Sequence, residues 1–91
     1  MPPPDMQQVK KFARKHGYNV SKIGKAKPPH KLTYTTPTGH VVKFGAIAYE
    51  DFTTHRDPVR QKNYCARSKG ISSDRNKYSN NTLSRKLLWD C

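Results

Sequence analysis

VKFGAIAYEDFTTHRDPVRQKNYCAR, residues Val42 to Arg67, is the stretch that decides how this chain folds. Val42 to Phe44 sets a β-branched and an aromatic residue either side of a lysine, a pattern that fits a half-buried strand, and Gly45 ends it. Asp51 is placed to cap a single helical turn reaching His55. Asp57-Pro58 then opens a longer helix. An Asp N-cap accepts hydrogen bonds from the free N–H groups of the first turn, and Pro at the first helical position has no N–H to leave unsatisfied. Arg67 and Lys69 suit the last turn, with Gly70 just past it. The expectation is a strand, a glycine hinge and a helix over 58–69.

Towards the N-terminus, Leu32, Tyr34 and Thr36 alternate, and Pro37-Thr38-Gly39 separates them from His40–Phe44. Proline early and glycine late in such a turn predict a β-hairpin over about 31–45. Further back, Asp5 and Gln8 stand in capping-box register. Met6, Val9, Phe12 or Ala13, and His16 recur at helical spacing before Gly17. This predicts a short amphipathic helix over 6–16, with Lys10, Lys11, Arg14 and Lys15 on its other face. Residues 18–30, with Gly24, Pro28 and Pro29, read as an extended basic linker with room for a short third strand at Tyr18–Ile23. Pro2-Pro3-Pro4 is a stiff leader. On the other side, Ser72–Asn81 is polar and turn-rich, and a last helix is expected over about 82–89, where Leu83 and Leu87 lie one turn apart. A two-stranded sheet is marginal in water. The helices must therefore cover one face, with Phe44, Tyr49, Phe52, Val59, Tyr64, Leu83, Leu87 and Trp89 as the expected core. The fold class is α+β. Residues 1–30 are expected to be a basic N-terminal arm, and residues 31–91 a small α+β unit.

Composition narrows the function. In 91 residues, 18 Lys and Arg oppose 6 Asp and Glu, a net charge of +12, and only 33% of residues are apolar. The stretch Lys10–Lys31 holds Lys10, Lys11, Arg14, Lys15, Lys22, Lys25, Lys27 and Lys31 and no acid at all. Such a run forms a phosphate-binding or acid-binding surface by charge alone, independent of sequence. Tyr18, Tyr34 and Phe44 lie near it and are read chiefly as core, with base stacking as the alternative. Arg60, Tyr64 and Arg67 share one helical face. They form either a partner-contact stripe or a tyrosine packed on the sheet beneath arginine stems. No apolar run reaches the ~20 residues of a transmembrane helix, and MPPPDMQQ lacks the features of a secretory signal. Cys65 and Cys91 fit no disulfide framework and read as reduced thiols, with a mutual bridge or an intermolecular link as alternatives.

No catalytic set emerges. His55 stands beside Asp51 and Asp57, but no nucleophile is tied to it by spacing, so these three residues read as helix caps and charge partners. No paired Cys or His has zinc-ligand spacing, and no glycine-rich phosphate cradle exists. Neither a metal, a cofactor nor a small-molecule substrate is expected.

The residues Val42, Phe44, Gly45, Tyr49, Asp51, Phe52, Thr53, His55, Arg56, Asp57, Arg60, Tyr64 and Arg67 form a dense motif. Ser84-Arg85-Lys86-Leu87-Leu88-Trp89 follows downstream. Together they resemble a family of small, basic, mostly uncharacterised proteins encoded by large nucleocytoplasmic DNA viruses of algae and protists. The resemblance spans about Val20 to Trp89. It implies fixed structural places for Phe44, Gly45, Asp51, His55, Asp57 and Trp89, and a role in the virion or in genome handling, with the protein located in the virion and, during assembly, in the host cytoplasm. It brings no reaction with it. The resulting expectation is a non-enzymatic virion protein, a minor capsid component that binds neighbouring capsid proteins. The alternative is a sequence-independent binder of viral DNA.

Overall fold

The computed structural model describes residues 4–71 and 76–91. Pro2 and Pro3 of the leader, and residues 72–75 of the polar stretch, lie outside the described residues. Helix α1 (Met6–His16) leads through a 3-10 turn (Val20–Lys22) into strands β1 (Ile23–Lys25), β2 (His30–Thr35) and β3 (Val41–Ala46). Helices α2 (Phe52–His55) and α3 (Pro58–Ile71) follow. Helix α4 (Asn80–Leu83) continues directly into a π-helical turn (Ser84–Leu88). The molecule is thus a small α+β fold.

The strands form one antiparallel sheet in the order β1-β2-β3. Leu32 pairs with Phe44, Tyr34 with Val42, and Ile23 with Tyr34. Residues directly opposite one another project to the same face, so these five make the apolar face of the sheet. Thr33, paired with Gly24 and Lys43, belongs to the other. The third strand lies at Ile23–Lys25, at and beyond the end of the Tyr18–Ile23 segment expected for it. In the hairpin turn the Thr36 carbonyl accepts the Gly39 N–H at 2.9 Å, and Gly39 takes a φ of 86°, which glycine adopts without steric cost.

Helix α1 begins and ends as its sequence predicts. The Asp5 carboxylate accepts from the N–H groups of Gln7 and Gln8, and Gly17 closes the helix in a left-handed conformation. Its place in the fold differs. Val9, Ala13, Tyr18, Leu32, Tyr34, Phe44, Leu83, Leu87 and Leu88 form one buried cluster, with Phe12 also buried. This corrects the expected division into a 1–30 arm and a separate 31–91 unit. Val9, Phe12 and Ala13 are spaced three and four apart and make a single stripe. The chain's own sheet and last helix cover that stripe.

Two expected core residues are exposed: Tyr49 at 71% and Val59 at 66%. Gly45, with φ 78°, redirects the chain as β3 ends, and the Tyr49 N–H returns to the Ala46 carbonyl at 3.2 Å. The turn so formed carries Tyr49 outward. Gly45 is also fixed by space, since a Cβ there would stand 2.7 Å from Leu88 Cδ1 and 3.2 Å from Lys31 Cβ. Val59 lies in the first turn of α3, a helix attached by polar and aromatic contacts rather than by an apolar stripe. α3 also runs on to Ile71, so Gly70 lies inside it rather than beyond it.

The expectation of reduced thiols is corrected as well: Cys65 and Cys91 form a disulfide, with Cα atoms 5.6 Å apart. Three contacts bring the C-terminal residues against α3. Tyr64 and Trp89 stack at 4.0 Å between ring centroids. Gln61 Nε2 donates to the Trp89 carbonyl at 2.9 Å, and Arg85 Nη1 donates to the Cys65 carbonyl at 2.7 Å.

Because α1 is core, Phe12→Ala should cost about 3–5 kcal/mol, the usual range for a buried phenylalanine, and lower the melting temperature of the whole chain. An unchanged melt would mean that α1 is an appended arm after all.

Candidate functional site

The site is organised by a buried ion pair. Lys31 Nζ donates to Asp51 Oδ2 at 2.7 Å, with both side chains withdrawn from solvent. Asp51 Oδ1 accepts from the Thr53 N–H at 2.9 Å and from the Thr53 hydroxyl. Asp51 therefore caps α2 and neutralises Lys31 at once. The Thr53 oxygen also accepts the Asp5 N–H at 3.0 Å, and Arg56 Nη2 reaches Asp5 Oδ2 at 2.8 Å. One carboxylate thus links β2, α2 and the start of α1.

Asp57 caps α3 as expected, accepting from the N–H groups of Val59 at 3.0 Å and Arg60 at 3.3 Å. Its own N–H donates to His55 Nδ1 at 3.0 Å. An N–H donor on Nδ1 requires that nitrogen to be unprotonated, which puts the imidazole proton on Nε2. Nε2 is buried without a hydrogen-bond partner among the described residues. The ring lies 5.1 Å from that of Trp89. Burial, followed by the nearby Arg60 charge, pushes the His55 pKa below its ordinary 6.5, against the opposing pull of Glu50, Asp57 and Asp51.

Alongside α3 lies an open cleft of about 580 Å³. Arg60, Asn63, Tyr64 and Arg67, all on one helical face, line its α3 side, and the segment after β3 contributes Tyr49 and Glu50. Buried Phe44 and Leu88 also line it, with Gly45 and the buried Lys31 and Asp51. Arg60 Nη1 contacts Glu50 Oε2 at 3.2 Å, while Arg67 has no ion-pair partner among the described residues. Tyr64 stacks on Trp89, and burial raises its phenol pKa despite Arg85 and Arg67, so it stays neutral at physiological pH.

The structure separates the predicted basic residues. Lys10, Lys11, Arg14 and Lys15 lie exposed on α1, and Lys22, Lys25 and Lys27 are exposed in and around β1. Lys15 contacts Asp90 at 3.0 Å. Lys31 belongs to the interior, not to the basic surface, because its head is claimed by Asp51. No local sequence signal marks that pair, whose members are twenty residues apart. Tyr18, Tyr34 and Phe44 are buried in the core, which rules out their stacking on bases. Of the expected contact residues, Arg60, Tyr64 and Arg67 do come together, joined by Asn63 and Tyr49, whose exposure the sequence reading missed. Among the described residues no group of three or more His, Cys, Asp or Glu could hold a metal ion, and no helix is long and apolar enough to cross a membrane.

Residues 24–68, just under half of the chain, match the model of a family of unknown function, DUF5754. They run from β1 through most of α3 and include both partners of the buried ion pair. No curated protein and no solved structure matches the chain.

Two expectations follow from this geometry. Lys31→Met strands a buried carboxylate and should cost about 3–5 kcal/mol in urea unfolding with little change in polyanion affinity, whereas Lys10→Gln should do the reverse. Loss of binding without loss of stability in Lys31→Met would return Lys31 to the surface. For His55 the folded pKa is lowered, so its contribution to stability is intact above the unfolded value of 6.5 and declines as pH falls below it. Over that acid range wild type should lose more stability than His55→Gln, and equal losses would show that His55 does not titrate against folding.

Proposed function

We propose that the protein is a non-enzymatic virion component that binds nucleic acid through its phosphates without reading sequence. The carrying observation is how charge is partitioned. Every carboxylate side chain among the described residues is engaged within the fold: Asp5 with Arg56, Glu50 with Arg60, Asp51 with Lys31, Asp57 at its helix cap, and Asp90 with Lys15 and His16. Lys10, Lys11, Arg14, Lys22, Lys25, Lys27, Lys43, Lys62, Arg67 and Lys69 have no ion-pair partner among the described residues. A surface so one-signed repels itself until external anions neutralise it. These cations sit on α1, around β1, on β3 and on α3, which gives contact on several elements rather than at one pocket. The placement in a particle of a large DNA virus rests on the motif resemblance.

The second reading is a minor capsid component joining neighbouring capsid proteins. Exposed Val41, Ile47, Tyr49 and Val59 favour it, since a protein lattice offers apolar contact that phosphates do not. Against it, Val9 and Phe12, the apolar stripe of α1 that could have docked on a neighbour, are buried in the chain's own core, and Met6 packs against that core.

Fluorescence anisotropy with two duplexes of unrelated sequence tests the proposal. Equal affinities are expected, falling on the order of a thousandfold between low and moderate salt if roughly six phosphates are contacted. Salt-insensitive binding, or binding to polyglutamate but to neither duplex, would transfer the conclusion to the capsid reading.

A further inference from the structure

We propose that the cleft alongside α3 accepts one unpaired nucleotide of a single-stranded nucleic acid, its base stacked on Tyr49 and its phosphate held by Arg67. The inference rests on the nucleic-acid reading above and adds a discrete site to it.

Three features of the cleft point to this ligand. Tyr49 lines it while 71% exposed. An aromatic ring left in water beside a basic helix is what a base needs for stacking, and stacking is indifferent to which base arrives. Arg67 lines the same cleft and has no ion-pair partner among the described residues, so a phosphate there displaces no salt bridge among them. Asn63 and Asn80 also line it, both exposed, and an amide side chain can donate to and accept from a base edge.

The buried part of the lining combines apolar Phe44 and Leu88 with the mutually neutralised Lys31 and Asp51. Its volume of about 580 Å³ falls within the ~300–1,000 Å³ of ordinary small-ligand sites. A duplex keeps its bases stacked inside and cannot offer one to Tyr49, so the cleft separates single strands from duplexes where the basic coat does not. An acidic peptide would use Arg67 but carries no nucleobase to stack on the exposed ring.

The test compares a labelled oligothymidylate with a duplex of equal length, at physiological salt, by fluorescence anisotropy. Tyr49→Ala should weaken single-strand binding by about 5- to 150-fold and leave duplex affinity within about twofold. Arg67→Gln should weaken single-strand binding more than Lys62→Gln, an exposed neighbour on α3 that does not line the cleft. Trp89, the chain's one tryptophan, also lines the cleft. Its emission should change on adding oligothymidylate to wild type and not to Tyr49→Ala. If wild type binds the duplex but Tyr49→Ala binds single strands as wild type does, or loses both ligands equally, the cleft assignment is overturned and the basic coat stands. If wild type binds neither ligand, the nucleic-acid reading falls and the cleft assignment with it. Because Tyr49 is exposed, its variant should melt as wild type does, so a change in binding is not a change in folding.

Discussion

Lys31 and Asp51 meet at 2.7 Å with both side chains removed from water. Taking two charges out of water costs several kcal/mol per ion unless attraction and hydrogen bonds offset it. Here they do: Asp51 also receives the Thr53 N–H and hydroxyl, and Thr53 in turn receives the Asp5 N–H. The segment between β3 and α2 cannot lift from the sheet without leaving the buried Lys31 ammonium unpaired. That constraint places Tyr49 and Glu50 beside α3 and keeps α1 in register with α2. It also explains Gly45, whose absent side chain leaves room for Lys31 Cβ and Leu88.

The same economy sets the surface. The described carboxylates are few, and the fold commits each to a cap or an ion pair. What remains outward is almost purely cationic. Structural use of the acids is therefore what leaves the described exterior so one-signed. In a chain with +12 net charge, more acids at the surface would have muted it.

Local rules were legible in the sequence. Asp5, Asp51 and Asp57 each cap the helix their spacing marks, the Pro37–Gly39 turn joins the strands predicted, and Arg60, Tyr64 and Arg67 do share a face. Long-range facts were not. The apolar stripe of α1 is visible as a stripe, but nothing local says whether the chain itself or a partner covers it. Lys31 reads as one more base in a basic run until Asp51 is seen beside it. Tyr49 reads as core until the Gly45 turn carries it outward. The two cysteines, 26 residues apart, match no spacing rule because they meet only where the C-terminal residues fold back onto α3.

Helix α3 shows how the cleft can exist at all. Among its described residues only Ser68 is fully buried, and an amphipathic helix would instead have packed an apolar face and closed the space. α3 is held from the C-terminal side, by Trp89 on Tyr64, by Arg85 on the Cys65 carbonyl and the Ser68 hydroxyl, and by the Cys65–Cys91 bridge. In a chain-entropy account, closing a loop of that length stabilises by about 3–4 kcal/mol, comparable to a buried aromatic side chain. One edge of the cleft is thus fixed by the ion pair under the sheet and the other by the last residues of the chain. The face of α3 between them stays polar and open because neither anchor requires it to be buried.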